Sequence, residues 1–165
     1  MASIVSDIDL PEHVPESDIT AANTSLEKLF SLKGRTIVIT GAGRGLGITL
    51  ATAVLEAGAD AICLDVLDEP SSVEWAVIKT VEHQSRVEAS YYKCDVTNED
   101  EVKQVLSKAV DSAKARGKPI RGMINSAGIQ LMKDAIDYPI DGFRRVMDVS
   151  ISGITSVEHY QLILA

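Results

Sequence analysis

The 165-residue sequence contains few cysteines, few aromatic residues and no excess of positive charge. Its two cysteines, Cys63 and Cys94, form no Cys-x-x-Cys pair, and no cluster of His and Cys has the spacing of a metal site. We therefore expect two buried thiols in a reducing, cytoplasmic environment and no bound metal. The formal net charge of −8 argues against nucleic-acid binding, which requires Lys and Arg to neutralise phosphates.

Long apolar runs are also missing. No stretch approaches the roughly 18 apolar residues that cross a bilayer, and the N-terminus lacks the basic and apolar regions of a secretion signal. The sequence therefore predicts no membrane association.

Residues 1–30 contain Pro11, Pro15 and several acids with little periodicity, which predicts a flexible arm with one or two helical turns over 24–30. This arm is either a solvated tail or a docking arm for a partner subunit.

From residue 35 onward, short apolar runs alternate with amphipathic stretches. The apolar runs predict four strands, at residues 35–40, 61–64, 87–93 and 119–125. Between and after them we predict helices at residues 45–57, 71–83, 98–113 and 134–149, with Gly58 as a helix stop and Thr97 as an N-cap. This alternation is typical of the α/β class. We expect a Rossmann-type parallel sheet with helices on both faces, truncated after about four strands.

A glycine-rich segment, residues 40–47, joins the first predicted strand to the first predicted helix. Glycine adopts backbone angles that other residues avoid, and it lets the backbone approach a pyrophosphate closely. The N-terminus of the following helix offers unpaired N–H groups to phosphates. We therefore expect cofactor-binding contacts at Gly41, Gly43, Arg44, Gly45, Leu46 and Gly47.

An acidic residue, Asp65, ends the second predicted strand, 18 positions after Gly47. A carboxylate there accepts hydrogen bonds from the hydroxyls of the adenosine ribose. It would repel a 2′-phosphate by about 4 kcal/mol per pair of unit charges at about 4 Å and an effective dielectric of about 20. Arg44 would attract that phosphate, but an exposed pair contributes only about 0.2–1 kcal/mol. We therefore expect NAD to be preferred, with NADP possible.

Two further groups of residues follow the third and fourth predicted strands. Asp95 and Val96 stand where an adenine ring would lie, with an acceptor for its amino group and a backbone donor for a ring nitrogen. Asn125, Ala127 and Gly128 are small or polar residues beside which a cofactor can pass. The alternative for Asp95 is a role in starting the next helix, and the alternative for residues 125–128 is an ordinary turn.

Together, residues 40–47, Asp65, the Asp95-Val96 pair and Asn125–Gly128 resemble the short-chain dehydrogenase/reductase family over residues 30–153. The segment before the first strand is most similar to fungal polyol and sugar reductases of that family. The resemblance implies an NAD(P)-dependent oxidoreductase that acts on an alcohol or ketone. Ser126 departs from the Asn-Asn-Ala-Gly that the family usually shows here.

The family's catalytic side chains do not occur in the expected pattern. The resemblance implies a catalytic Asn, a Ser and a Tyr-x-x-x-Lys pair, but Ser150 stands at the Asn position and no tyrosine of this sequence is followed by Lys four residues later. Residues 154–165 no longer resemble the family and form an atypical C-terminal tail behind a partial NAD(P)-binding domain at 31–153. We expect a truncated enzyme that is inactive alone and acts on a small alcohol or ketone only if the missing C-terminal half is supplied. Its expected protein partners are further copies of itself in a homo-oligomer or a full-length homologue in a hetero-oligomer.

Two other functions fit part of this pattern. One is a nucleotide-binding or regulatory module without catalysis. The other is an S-adenosylmethionine-dependent methyltransferase, which also places glycines after its first strand and acids after the next two. Three features count against the methyltransferase: the starting Thr40, the three-residue gap between Gly41 and Gly45, and the Asn125–Gly128 segment.

Overall fold

A computed structural model describes residues 26–164, with side chains described for residues 28–160. Most of the predicted arm, residues 1–25, lies outside the described residues. The chain divides into two units, Met1–Ser31 and Leu32–Ala165. In the described part of the first unit, a single helical turn, α1, spans Leu26–Leu29, within the range where one or two turns were predicted.

The second unit alternates strands and helices along the chain. Its strands are β1 (Thr36–Thr40), β2 (Asp60–Asp65), β3 (Ala89–Lys93) and β4 (Ile120–Asn125). The intervening helices are α2 (Gly45–Glu56), α3 (Ser72–Ser85) and α4 (Glu99–Ala115). All strand pairs are parallel, and the spatial order is β3-β2-β1-β4. The predicted Rossmann-type sheet is confirmed in the described residues.

The two central strands are apolar because both faces of the sheet are covered. Ile37 and Ile39 of β1 join one core, which includes Ile78 of α3. Val38, between them, points to the opposite core, which includes Leu106 of α4. All five residues of β1 are buried, so a continuous apolar run is what this position in the sheet requires.

The N-cap of α4 is Asn98, so the predicted cap at Thr97 is wrong by one residue. Asn98 Oδ1 accepts a hydrogen bond from the backbone N–H of Glu101 at 3.2 Å. Thr97 is held in the preceding turn, where its N–H and its hydroxyl both donate to Asp95 Oδ1, at 2.9 and 2.7 Å. Asp side chains often close turns of this kind two residues ahead of themselves. This local turn prevents the Thr97 hydroxyl from reaching the helix.

Residues in the left-handed conformation follow three of the helices: Gly58 after α2, Arg86 after α3 and Gly117, with φ +67, after α4. Gly58 has φ +91, and its N–H donates to the carbonyl of Leu55 at 2.9 Å, so the predicted stop of α2 is confirmed. After α3 the same conformation falls on Arg86, at φ 54. Helix α3 therefore runs two residues beyond its predicted end, and β3 starts at Ala89 rather than at Val87.

The segment after β4 differs most from the prediction of one helix over 134–149. A 3₁₀ turn at Ala135–Asp137 comes first, and α5 (Ile140–Met147) begins after Pro139. The helix continues through a π-helical stretch, Asp148–Gly153, into α6 (Ile154–Leu164), and residues 140–164 together are called the long helix. Val157 of α6 is fully buried in the core on the α4 side of the sheet. Residues 154–164 are thus helical, and Val157 and Tyr160 pack against the core, although the sequence suggested an atypical tail.

A buried ionic cluster joins the amino ends of the strands. The Asp60 side chain is fully buried, with Lys118 Nζ at 2.6 Å and Arg116 Nε at 3.2 Å. Arg116 also pairs with Glu88 at 2.8 Å, and the Glu88 N–H donates to Asp60 Oδ1 at 3.0 Å. The cluster connects the start of β2, the end of α4 and the segment before β3. It lies at the edge of the sheet opposite the carboxyl ends of the strands.

Strand β4 forms one edge of the described sheet. Large apolar side chains are exposed on the segment that follows it, namely Ile129, Met132, Ile136, Ile140, Phe143, Met147 and Ile151. A cluster of exposed apolar side chains marks a surface suited to association. None of the helices in the described part of the chain is long and apolar enough to cross a membrane.

Candidate functional site

The carboxyl ends of the four parallel strands meet at one edge of the sheet. The chain passes from β1 to β2 and β3 on one side, then crosses to β4 on the other side of β1. A sheet of this kind binds ligands in the crevice at this reversal of strand order. The structure has a cleft of about 790 Å³ there, lined by residues that follow or end all four strands. That volume suits a small-molecule or cofactor site, which typically measures about 300–1,000 Å³.

Ten of the twelve residues predicted to bind a cofactor line this cleft. They are Gly41, Arg44, Gly45, Leu46, Gly47, Asp65, Asp95, Val96, Ala127 and Gly128. The other two, Gly43 and Asn125, lie outside the lining, as does Ser150. The structure therefore brings together segments that are far apart in the sequence.

The glycine-rich loop packs directly against the segment after β4. Gly41 has φ +66, and a Cβ added there would lie 2.7 Å from the Cα of Ala127. A Cβ at Gly47 would collide with the carbonyl of Gly41 and would lie 2.7 Å from Ser126 Oγ. Only glycine fits at these two positions, and the resulting close packing forms the floor of the cleft.

Two side-chain hydrogen bonds fix the loop to β4. Thr40 Oγ1 accepts from the N–H of Ala127 at 3.2 Å, and Ser126 Oγ donates to the Thr40 carbonyl at 2.5 Å. Ser126 also lines the cleft, although its sequence position suggested only a departure from the family's Asn. These bonds hold the ends of β1 and β4 together on one wall of the cleft.

Asp65 is held by backbone donors on both of its oxygens. Oδ2 accepts from the N–H of Gly43 at 2.8 Å, and Oδ1 accepts from the N–H of Leu67 at 3.1 Å. A Cβ on Gly43 would lie 2.8 Å from Asp65 Cγ, so Gly43 serves the site from behind the lining. Each carboxylate oxygen can accept a further hydrogen bond. Asp65 is thus oriented and still able to bind hydroxyl groups in the cleft.

The loop after β2 is held by Tyr91 of β3. The Tyr91 hydroxyl donates to the Leu67 carbonyl at 2.8 Å. Burial raises the pKa of Tyr91 to about 12, with a further contribution from the charge of Asp65. The phenol therefore remains a protonated donor across the neutral range. This contact supports Asp65 indirectly, through the backbone of Leu67.

The end of β3 contributes Cys94, Asp95, Val96 and Thr97 to the cleft. Asp95 Oδ1 closes the turn before α4, as described above, so both readings of Asp95 are compatible with its position. Val96 packs closely on the long helix, because a Cβ on Gly153 would lie 2.7 Å from Val96 Cγ2. Burial raises the pKa of Cys94 to about 12, which keeps it as a neutral thiol rather than a nucleophilic thiolate.

The long helix also contributes to the cleft, which was not predicted from the sequence. Its lining residues are Arg145, Asp148, Val149, Ser152 and Ser156. Their spacing, i, i+3, i+4, i+7 and i+11, is that of one helical face. This signal was available in the sequence, but the predicted helix ended at residue 149. Val66, Cys94, Thr97, Ser126 and Ile129 complete the lining residues that were not predicted.

Three polar residues, Asn125, Ser150 and Tyr160, lie near the site but do not line the cleft. Asn125 Nδ2 donates to Glu158 Oε1 at 2.9 Å, while Asn125 Oδ1 is buried without a hydrogen-bond partner among the described residues. Ser150 is half-buried outside the lining. The Tyr160 hydroxyl donates to Glu99 Oε1 at 2.6 Å, and this bond raises the pKa of Tyr160. A phenol with a raised pKa is a poor base near neutral pH.

Metal ligands are not assembled in the described part of the chain. There, no group of three or more His, Cys, Asp or Glu side chains is arranged to hold a metal ion. The charged groups that line the cleft are Arg44, Asp65, Asp95, Arg145 and Asp148. They come from separate segments around the cleft.

Comparison with known proteins gives one consistent result. A family model described as short chain dehydrogenase matches residues 35–162. A short-chain dehydrogenase/reductase of Aspergillus versicolor, notP′, is 40% identical over 129 residues, which is 78% of this chain and 43% of that protein. The 5-keto-D-gluconate 5-reductase of Escherichia coli K12 is 32% identical over 129 residues, covering 78% of this chain and 48% of the relative.

Solved structures show the same fold. A short-chain type dehydrogenase/reductase from Mycobacterium marinum superposes with a TM-score of 0.68 at 26% identity, covering 86% of this chain and 54% of that one. The chain therefore spans about half the length of the proteins it matches. The family match also extends nine residues beyond residue 153, where the resemblance seen in the sequence ended.

Proposed function

We propose, from the premise that the chain belongs to the short-chain dehydrogenase/reductase family, that its cleft binds NAD(H). The observation that carries this proposal is the position of Asp65 at the cleft, with both oxygens held by backbone N–H groups of Gly43 and Leu67. A carboxylate fixed at the end of β2 is suited to the two hydroxyls of an adenosine ribose. The family is an oxidoreductase family that uses NAD or NADP.

The glycine-rich loop would receive the pyrophosphate. Gly41 and Gly47 leave no side chain between the backbone and the cleft, and α2 directs its N-terminus toward this region. Unpaired N–H groups and the positive end of the helix dipole favour a phosphate there. When bound, the nicotinamide cofactor supplies hydride transfer, and this chain's residues orient it.

The adenine end would lie between Asp95 and the glycine-rich loop. Val96 is buried, and its neighbour Asp95 uses Oδ1 in a turn, which leaves Oδ2 as the acceptor for an amino group. Ala127 and Gly128 on the opposite wall are small enough for the cofactor to pass. These assignments make Arg44, Gly45 and Leu46 the phosphate-side contacts.

We expect NAD to bind more tightly than NADP. The negative charge of Asp65 is fixed, so a 2′-phosphate beside it would be repelled. Arg44 is exposed on the glycine-rich loop and would attract that phosphate, but solvent screens an exposed charge. NADP binding is therefore weaker rather than excluded.

The substrate class is a small alcohol or ketone, of the polyol or sugar type. One relative acts, by its name, on the carbonyl of a keto sugar acid. On the cleft wall formed by the long helix, Arg145, Asp148 and Ser152 provide polar groups beside Gly128. Tyr160 is turned away toward Glu99, and no Tyr-x-x-x-Lys occurs in the sequence. We therefore propose that the 165-residue chain binds cofactor without turning over substrate at an enzymic rate.

We assign residues 1–30 to an arm, 31–153 to a partial NAD(P)-binding domain and 154–165 to a C-terminal segment, in which Val157 packs in the core of that domain. The exposed β4 edge and the apolar side chains after it favour a homo-oligomer, or a mixed oligomer with a full-length relative. The two free, buried cysteines favour a cytoplasmic location. A nucleotide-binding regulatory module is the second candidate. Two observations favour this module: the cleft is formed, and the sequence contains no Tyr-x-x-x-Lys pair.

A ligand panel tests the proposed function. The purified chain is heated with NAD⁺, NADH, NADP⁺, NADPH or S-adenosylmethionine, since only a ligand that binds the folded state raises Tm. We expect the largest increase with NAD(H), a smaller one with NADP(H) and none with S-adenosylmethionine. The absence of any shift with all four nicotinamide dinucleotides would overturn the proposal. Calorimetry then gives the Kd of each binder.

A further inference from the structure

A second carboxylate, outside the cleft lining, reaches the glycine-rich loop. Glu74 lies in the first turn of α3, and its Oε1 accepts a hydrogen bond from the N–H of Gly45 at 3.2 Å. We infer that Glu74 is a positioning and specificity residue of the dinucleotide site, which holds the phosphate loop and adds to its preference for NAD over NADP. The inference rests on the proposed NAD(H) binding.

The N-terminus of α2 has no acceptor of its own. Its N-cap residue, Arg44, makes no side-chain cap, and its first turn contains no acidic residue. The first N–H groups of a helix need acceptors from elsewhere, and negative charge is favourable there. Glu74, on the neighbouring helix α3, supplies both a hydrogen-bond acceptor and a negative charge at Gly45. A tertiary contact from Glu74 therefore takes the role that a capping or acidic residue in the first turn of α2 would have.

The same loop is held at two further points by the segment from Asp65 to α3. The Gly43 N–H donates to Asp65 Oδ2 at 2.8 Å, and the Gly43 carbonyl accepts from the N–H of Ser71 at 2.8 Å. With the Glu74 bond, both residues that flank Arg44 are fixed. Gly45 has φ +60, a left-handed conformation that glycine adopts without strain and that these contacts fix. Asp65 and Glu74 thus act on the same short loop.

The charge of Glu74 is placed to oppose a 2′-phosphate. Its carboxylate contacts the residue next to Arg44, the cation that would attract such a phosphate. Glu74 is half-buried beside α2, with Ile48, Thr49 and Val77 around it, and it does not line the cleft. It therefore contributes negative potential near the site without touching the ligand. Asp65 touches the ribose directly, whereas Glu74 acts through the loop and through its charge.

The decisive variant is Glu74→Gln, which keeps an acceptor for the Gly45 N–H but removes the charge. We expect its affinity for NADPH to rise by about three- to tenfold at low salt, an effect of one unit charge at close range. Its affinity for NADH should rise less, because the pyrophosphate is common to both cofactors and NADH has no 2′-phosphate, so the ratio of NADPH to NADH affinity should increase. The gain for NADPH should shrink as added salt screens the charge. Calorimetric titration with NADH and NADPH at two salt concentrations measures all of these values.

Two further variants separate charge from position. Glu74→Ala removes the acceptor as well, so we expect weaker binding of NADH by about threefold to tenfold, the effect of losing one hydrogen bond that positions the loop without touching the ligand. Glu56→Gln is the matched control, because Glu56 lines the same hollow between α2 and α3 but lies at the far end of α2. It makes the same change in net charge and should leave both affinities unaltered.

The outcomes distinguish this inference from the proposed function. If the wild-type chain binds NADH and Glu74→Gln leaves the ratio of NADPH to NADH affinity unchanged, the specificity role is wrong and the NAD site stands. An equal change in the Glu56→Gln control would also overturn it, because net charge would then explain the effect. If the wild-type chain binds neither dinucleotide, the proposed function fails and this inference fails with it.

Discussion

The carboxylate of Asp65 and the backbone N–H of Gly43 are joined by a 2.8 Å hydrogen bond, although 22 positions separate them in the sequence. The bond connects the end of β2 to the loop that follows β1. It orients the carboxylate before any ligand arrives, and an oriented group loses less entropy on binding than a mobile one. The affinity for a ribose should therefore depend strongly on this one side chain.

Replacement of Asp65 by Ala should weaken NAD binding by about tenfold or more, since a hydrogen bond to a charged group contributes about 1.5–3 kcal/mol. Discrimination against NADP should also relax, because the repelling charge is gone. Calorimetry with both cofactors measures the two effects. Glu69→Ala, an exposed change on the same loop, is the control and should bind like the wild type. A wild-type chain that already prefers NADP would show that Arg44 dominates.

Replacement of Gly41 by Val should abolish NAD binding. The added Cβ would lie 2.7 Å from the Ala127 backbone, so the loop must move out of position. Gly117→Val is a matched control, since Gly117 has φ +67, nearly that of Gly41, but has open space around it. Both variants carry backbone strain of about 1–3 kcal/mol, whereas only the first should lose NAD in calorimetry. Equal binding by the two variants would place the site elsewhere.

The free energy of unfolding should fall in alkaline solution, starting near pH 9. Burial raises the pKa of Cys63 and of Cys94 from 9.0 to about 12. As pH rises, the unfolded chain loses these protons first, so the contribution of the two thiols to stability is constant below about pH 9 and declines between about 9 and 12. Urea unfolding at a series of pH values measures the decline.

A double variant, Cys63→Ala with Cys94→Ala, tests the origin of that decline. Tyr91 remains, with its pKa raised by burial from 10.0 to about 12, so the onset should move from near pH 9 to near pH 10. The comparison uses the shape of the pH profile, since the Ala side chains also leave cavities that lower stability at every pH. An unchanged onset in the double variant would show that the thiols are not responsible.

Replacement of Asp60 by Asn should lower the free energy of unfolding by about 3 kcal/mol, the lower end for breaking a buried pair, because Arg116 and Lys118 stay partly exposed. Asp68→Asn breaks the pair with Lys93, whose two side chains are exposed, and should have little measurable effect. Urea unfolding compares the two variants. Since Asp60 lies at the opposite edge of the sheet, a folded Asp60→Asn chain should keep its NAD affinity.

The purified 165-residue chain should show no enzymic turnover of polyols or ketoses. A substrate oxygen needs a proton partner, and general acid–base help contributes about 10²- to 10⁴-fold. Tyr160 is bonded to Glu99 and Ser150 lies outside the cleft, so neither supplies that help. The assay follows NADH absorbance with a substrate panel. Activity that copurifies with the chain and disappears in Gly41→Val would contradict the proposal, whereas activity gained only by mixing with a full-length relative would support it.

Regular features of the fold could be predicted from the sequence because they follow from local rules. Apolar runs such as Ile37–Ile39 predicted the buried strands, and the glycine motif predicted the loop before α2. The position of Asp65 followed from the parallel arrangement of β1 and β2. In each case a short segment is sufficient to specify its own conformation.

The contacts that the sequence did not reveal are tertiary. Glu74 reaches Gly45 from 29 positions away, and Asn125 reaches Glu158 from 33 positions away. No periodicity marks such pairs. The cap of α4 was missed for a different reason, since Asp95 competes for Thr97 and leaves Asn98 as the cap. The wall formed by the long helix was missed because the predicted helix ended at residue 149, whereas the helix continues through the π-helical stretch into α6.

That π-helical stretch, Asp148–Gly153, makes the helix uneven in its tolerance of insertions and deletions. Each hydrogen-bonded ring in a π-helix contains one residue more than in an α-helix. Loss of one residue inside the stretch can therefore be absorbed by closing the ladder as an α-helix, with Val157 still facing the core. Loss of one residue at Thr155 would instead rotate the following residues by about 100° and turn Val157 out of the core. In lineages of this protein, changes in helix length should concentrate in those six residues.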